Sequence, residues 1–205
     1  MQVIVVTGGL GSGKSTAAEF FRSQGAWTLD LDDVAAKLLV SDDALLGRVA
    51  DEFGRDEILL ADGRLDRAAL ARRAFASADA TKRLNAIVHP AVAREIGVSL
   101  DQMRLLPEPP LALALEVPLL AEAPVFAEIA DVTLAIVAPE NVRIARAVGR
   151  DMPEDEARRR VSRQASDAER AALADAVIVN DSSIGDFTDA LAFFWRTYVS
   201  PSGAL

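Results

Sequence analysis

Five short, largely apolar runs stand out along the chain, near 2–7, 26–30, 111–117, 131–137 and 176–179. Leu111-Ala112-Leu113-Ala114-Leu115, Val132-Thr133-Leu134-Ala135-Ile136-Val137 and Val177-Ile178-Val179 are continuous rather than alternating. Continuous runs of that length suit strands buried on both faces, as in a parallel sheet covered by helices. Between them the pattern predicts helices over about 14–24, 32–40, 66–76, 79–87, 90–105, 140–150, 154–164 and 183–198. Residues 41–57 also read as helical, ending near Gly54. Strands alternating with helices place the chain in the α/β class, with a five-stranded parallel sheet flanked by helices.

One interval breaks the alternation. About eighty residues separate the second strand from the third, far beyond the dozen or so that a crossover needs. They read as helical, with turn signals at Asp62-Gly63 and His89-Pro90, where Pro90 opens a new helix. The excess predicts a helical lobe inserted beside the sheet, a place for a second substrate. Pro107, Pro109 and Pro110 mark the return to the sheet. At 205 residues, 51% hydrophobic and 26% charged, the chain is globular and of single-domain size.

The chemistry enters at Gly8-Gly9-Leu10-Gly11-Ser12-Gly13-Lys14-Ser15, which fits G-x-x-x-x-G-K-[ST] at every required position. The run Val3-Ile4-Val5-Val6 precedes it and a helix beginning near Thr16 follows, which is the context the motif requires. Glycines let the backbone curl its N–H groups toward an anion at a helix N-terminus. Gly9, Leu10, Gly11, Ser12, Gly13, Lys14, Ser15 and Thr16 are therefore expected to bind the phosphates of a nucleotide. Lys14 would reach the outer phosphates and the Ser15 hydroxyl would ligate Mg²⁺. The competing reading is a glycine-rich strand-to-helix turn.

Charge and composition narrow the partners. Cysteine is absent, excluding disulfides and thiol chemistry. A formal net charge of −9 argues against general nucleic-acid binding. No apolar run approaches a membrane span, and no basic stretch with a cleavable apolar segment opens the chain. The expectation is a cytoplasmic protein without membrane attachment. Residues 143–163 depart from the acidic balance, with seven arginines against four acids, a local charge of +3. A solvated, salt-bridged helix pair would look like this. Beside a phosphate loop, so would arginines closing over a transferring phosphoryl group, with Arg146 and Arg150 on one helix face.

Phosphoryl transfer to an alcohol needs a base. Trp27-Thr28-Leu29-Asp30-Leu31-Asp32-Asp33 brings three carboxylates to the end of the second strand, where ligands of such sheets bind. One or more of them also suits a helix cap. Glu116 ends the third strand, placed either to hold a Mg²⁺ shell through water or to pair with Lys14 or an arginine. His89, the only histidine, suits packing as well as substrate contact.

Further motifs sharpen the picture: Asp62-Gly63-Arg64-Leu65-Asp66-Arg67, Leu84-Asn85-Ala86-Ile87-Val88-His89-Pro90, Val117-Pro118-Leu119-Leu120-Ala121-Glu122, Arg146 through Arg150-Asp151, Arg163-Gln164 and Ala174-Asp175-Ala176-Val177-Ile178-Val179-Asn180. With the phosphate loop and Asp30-Leu31-Asp32 they span residues 7 to 180, and together they resemble the dephospho-coenzyme A kinase family of P-loop kinases. The resemblance implies ATP-dependent phosphorylation of the ribose 3′-hydroxyl of dephospho-CoA, with ATP and Mg²⁺. It implies Asp32 as the hydroxyl base, and Arg67, His89, Pro118, Leu119 and Leu120 at the dephospho-CoA site. Arg146 and Arg150 would belong to a lid, and Asn180 would lie near adenine. A single P-loop kinase domain over 1–205 follows, with a core of about 1–31, 107–139 and 174–205, a helical substrate lobe of about 32–106 and a lid of about 140–165. A monomer or weak homo-oligomer is expected.

Three positions depart from the family pattern. Glu116 stands where Asp is frequent, the segment Glu140–Arg146 is one residue longer and lacks the usual Gln, and no glycine follows Asn180. Competing functions are a kinase for another small alcohol or nucleotide, such as shikimate, and a nucleotide switch. A guanine-reading N-K-x-D tetrapeptide, which a GTPase switch needs, does not occur.

Overall fold

In the computed structural model, which describes residues 1–118, 120, 123 and 125–200, the chain divides into two compact units. One takes Met1–Asp30 and the chain from Leu106 onward; the other is Leu31–Leu105.

The first unit is built on five parallel strands: β1 (Gln2–Gly8), β2 (Ala26–Asp30), β3 (Ala112–Glu116), β4 (Val132–Val137) and β5 (Ala176–Val179). Their order is β2-β3-β1-β4-β5, so β1 lies in the centre, between β3 and β4. Ile4 pairs with Ala114 on one side and Val132 on the other. Side chains of β1, β3 and β4 are buried on both faces, which accounts for their unbroken apolar runs. Two carboxylates close the strand starts. Asp131 accepts the Val3 N–H at 2.7 Å and Asp175 accepts the Thr133 N–H at 2.8 Å.

On one face, α1 (Lys14–Ser23) packs beside α11 (Ile184–Tyr198) over Ile4, Val6, Ala114, Leu134 and Ile136. Phe21 lies 5.8 Å from the Phe194 and Trp195 rings, fastening the two helices together. The unit also contains α7 (Val125–Glu128), α8 (Glu140–Val148), α9 (Glu154–Ser162) and α10 (Asp167–Ala171). Helices α8 and α9 share a small core of Ile144, Ala147, Ala157 and Val161, against which Leu10 of the glycine-rich loop is packed.

The second unit is wholly helical apart from a single bridge between Leu59 and Leu65. Its helices are α2 (Leu31–Ser41), α3 (Asp43–Phe53), α4 (Arg55–Ile58), α5 (Arg67–Ala74) and α6 (Ala78–Arg104). Side-chain caps start three of them: Asp42 accepts from Leu45 N–H, Asp66 from Ala69 N–H and Ser77 from Ala80 N–H. Each such cap contributes about 1 kcal/mol. Leu45, Val49, Phe53, Ile58, Leu70, Val88, Val92, Ile96 and Leu100 form the buried interior.

Here one expectation is corrected. His89-Pro90 does not start a helix; both residues lie inside α6, which runs unbroken for 27 residues. An interior proline costs roughly 3 kcal/mol by deleting a donor and crowding the preceding turn. The helix persists because buried Val88, Ala91, Val92, Ile96, Leu100 and Met103 continue one apolar face across the proline.

Candidate active site

The central strand delivers the glycine-rich loop, and α1 begins at its end with Gly13 as the N-cap. Gly13 has φ 112, a left-handed conformation that side-chain-bearing residues rarely adopt, and a Cβ there would run into Asn180 Nδ2. No side chain caps α1, so its first N–H groups are directed to whatever occupies the loop. Lys14 Nζ folds back onto the loop, donating to the carbonyls of Gly8 at 2.9 Å and Gly9 at 3.1 Å. Burial pushes its ammonium down to about 8; the charges of Glu116 and Asp30 oppose the shift, and those of Arg170 and Arg150 add to it.

A cavity of about 640 Å³ opens in front of the loop, lined by Leu10, Gly11, Gly13, Lys14, Ser15, Thr16, Arg146, Gly149 and Arg150. Loop and arginines, 130 or more positions apart in sequence, therefore share one wall. Arg146 is fixed by three bonds. Its Nη1 donates to the carbonyls of Asn180 at 3.1 Å and Gly11 at 3.4 Å, and its Nη2 to Asn180 Oδ1 at 3.2 Å. Arg150 reaches the cavity from the turn after α8, not from the helix face, because α8 ends at Val148 with Gly149 as its cap. Its Nε donates to the Arg146 carbonyl at 3.3 Å.

Asn180 is buried and engaged on every side. Its N–H donates to the Val137 carbonyl at 2.8 Å, and its Nδ2 donates to the Ser12 carbonyl at 2.8 Å. It thus joins the end of β5 to the loop and to Arg146. Gln164 supplies another tie, its Oε1 accepting the Leu10 N–H at 2.9 Å. Residues 140–165 are docked on the loop in this structure through Leu10, Gln164 and Arg146.

At the carboxyl ends of the neighbouring strands, Asp30 and Glu116 are register partners. Glu116 is half-buried; burial first, then the Asp30 charge, raises its carboxyl above the ordinary range, against the pull of Lys14 and Arg22. Two adjacent carboxylates at the strand ends, near a phosphate loop with the exposed Ser15 hydroxyl, suit a Mg²⁺ ion that takes its other ligands from phosphates and water. Among the described residues no cluster of three or more His, Cys, Asp or Glu forms an all-protein metal cage.

The remaining expected residues lie elsewhere. Pro118 and Leu120 follow β3, half-buried and buried respectively, and Leu119 falls outside the described residues. Asp32, Arg67 and His89 belong to the helical unit. Asp32 is exposed in the first turn of α2. Arg67 opens α5, and its Nη2 donates to the Ala36 carbonyl of α2 at 3.2 Å. His89 is half-buried, and burial lowers its imidazole below the ordinary value, favouring the neutral form.

Two further arginines, one of them against the loop at Gly9 and Gly11, have no counterpart in the sequence-based site. Arg143 and Arg170 are buried, at 6% and 2% exposure. The signal for Arg143 was present: it occupies the apolar stripe of α8 beside Ile144 and Ala147. Arg170 lies in a five-residue helix, too short for a stripe to be read.

The architecture recurs in solved proteins. A crystal structure from Thermus thermophilus, 34% identical, superposes with a TM-score of 0.75 over 96% of this chain and 97% of its own. Among curated relatives, dephospho-CoA kinase of Corynebacterium diphtheriae is 40% identical over 89% of this chain and 90% of its own length. That of Methylococcus capsulatus is 43% identical over 88% of each. The family model for dephospho-CoA kinase matches residues 2–186. With its P-loop kinase sheet, its phosphate loop and these relatives over most of its length, the chain belongs to the dephospho-CoA kinase family.

Proposed function

We propose that this chain transfers the γ-phosphoryl group of ATP to the ribose 3′-hydroxyl of dephospho-CoA, producing CoA and ADP. The observation that carries the reading is the cavity where Lys14, the first N–H groups of α1, Arg146 and Arg150 converge on one space. Those groups hold the triphosphate and meet the charge that spreads over the phosphoryl oxygens in transit. Asp32 takes the proton of the 3′-hydroxyl as its oxygen bonds to Pγ and the bond from Pγ to the ADP oxygen breaks. Arg67, His89, Pro118, Leu119 and Leu120 orient dephospho-CoA. Ser15 and Glu116, with Asp30 beside it, would hold Mg²⁺, which when bound neutralises phosphate charge. Asn180 sets the position of Arg146 and contributes to the adenine end.

ADP release measured with purified protein against dephospho-CoA, shikimate and nucleoside monophosphates tests the proposal. Turnover with dephospho-CoA alone is expected. Turnover with shikimate or a mononucleotide, and none with dephospho-CoA, would replace the acceptor.

A further inference from the structure

The proposed chemistry leaves Gln164 without a task, although its side chain reaches the phosphate loop. Gln164 follows α9, and the last turn of that helix fixes it: its N–H donates to the Val161 carbonyl at 3.2 Å. Val161 belongs to the small core shared by α8 and α9, on which Leu10 of the loop is packed. Beside this apolar contact, Gln164 Oε1 accepts the Leu10 N–H at 2.9 Å. Leu10 is thus gripped twice, by its side chain and by its amide. The approach requires Gly9. A Cβ there would stand 3.1 Å from Gln164 Oε1 and closer still to Arg143 Nη1, while the Gly9 backbone is not left-handed. Room for the segment after α9, not φ, calls for glycine at that position.

The bond gains its meaning from the other end of the same peptide unit. The Leu10 N–H and the Gly9 C=O belong to one planar group and point in opposite directions. The Gly9 carbonyl accepts from Lys14 Nζ at 3.1 Å and from the Ser12 N–H at 3.2 Å. A peptide held at both ends cannot turn without breaking bonds at both, and hydrogen bonds in such a chain strengthen one another. The hold is needed because the glycines on either side, Gly9 and Gly11, leave this peptide unusually free to rotate. Gln164 therefore stands one peptide away from an acceptor of the Lys14 ammonium.

Resting on the kinase reading above, we propose that Gln164 is a positioning residue for phosphoryl transfer, which acts through the Gly9–Leu10 peptide to set where Lys14 Nζ stands. Its part in the reaction needs no contact with nucleotide or acceptor. Lysine carries a compact charge on a flexible stem, so its placement depends on its partners. Without Gln164 the peptide turns more freely and the Lys14 charge spreads over several positions. Stabilisation of the group in transit then falls, while ground-state binding, shared with the N–H groups of α1, changes little.

The experiment compares wild type with Gln164→Met, which keeps the length and removes the acceptor, and Gln164→Asn, which withdraws the amide by one methylene. Gln164 is half-buried, and whichever variant melts cooperatively carries the test. In turnover of dephospho-CoA, kcat is expected to fall about tenfold, with KM for both substrates within about twofold of wild type. Nuclear magnetic resonance of the ligand-free proteins reads the relay without any acceptor. The Leu10 amide should lose its protection from exchange and the Lys14 side-chain signal should move with it; with only three lysines in the chain, that signal is readily assigned. Gln164→Glu, which restores an acceptor of the same length, should recover the protection of Leu10. A merely structural Gln164 would lower the melting temperature and leave both kcat and the Lys14 signal unchanged, and that result overturns the proposal. So would a Leu10 amide that stays protected in Gln164→Met. A wild type inactive toward dephospho-CoA would remove the kinase reading, while the paired Leu10 and Lys14 signals would still decide the relay.

Discussion

Lys14 shows how much one side chain's surroundings decide. Buried beside the loop carbonyls, its ammonium gives up its proton near pH 8, whereas in an unfolded chain it holds that proton to about 10.5. Between those values the unfolded chain binds more protons, so this residue's contribution to stability improves as pH rises from about 8 to 10.5. Triphosphate binding reverses the balance, because anionic oxygens favour the charged ammonium. ATP binding should therefore take up a proton above pH 8 and almost none at pH 6. Affinity should fall about tenfold per pH unit above 8. Calorimetry in two buffers of different ionisation heat measures the uptake, and zero uptake at pH 9 would mean that Lys14 does not meet the phosphates. At Asp32, Asp32→Asn keeps the shape and removes basicity. A kcat loss of order 10²–10⁴ with ATP affinity retained is expected. A larger loss from Asp30→Asn or Asp33→Asn would move the base along the chain.

At the scale of elements, most of the architecture was readable because long apolar runs and stripes dominate their segments. All five strands stand where the runs lie, with ends shifted by at most one residue. What escaped were elements with too few residues to show a period, α7 and α10, and the continuity of α6. His89-Pro90 looked like a helix start because proline suits the first turn and disfavours α geometry in the residue before it. Packing along 27 residues outweighed that local preference. The same contest predicts that Pro90→Ala stabilises the protein. Relief of the interior proline is worth up to about 3 kcal/mol, less about 1 kcal/mol for the freer unfolded chain, leaving a gain of about 1–2 kcal/mol. Urea unfolding measures it; a loss would show that α6 needs the break. Within the candidate site, motif and charge singled out the loop, Arg146 and Arg150, which line one cavity. The ties that Asn180, Gln164 and Arg143 make to the loop were not legible, since each depends on a partner more than a hundred residues away.

For the whole molecule, the division into two units separates the proposed duties. The sheet unit contains the phosphate loop, Arg146 and Arg150, and the helical unit contains Asp32, Arg67 and His89. Hydrogen exchange should register this division. A non-hydrolysable ATP analogue should slow amides in Met1–Asp30 and beyond Leu106, and dephospho-CoA should add protection within Leu31–Leu105. Protection of the helical unit by the nucleotide alone would assign it a different ligand.

The ties on the phosphate loop also set a schedule for synthesis. Ser12 is held by Asn180, 168 positions later, Leu10 by Gln164, 154 later, and Gly11 by Arg146, 135 later. A ribosome makes the glycine-rich motif long before these partners, so the nascent segment lacks the side chains that give the loop its shape. Not until residue 180 has left the exit tunnel can all three ties close. Early in translation the motif lacks these partners, and nucleotide capture becomes possible only after Asn180 has emerged and docked.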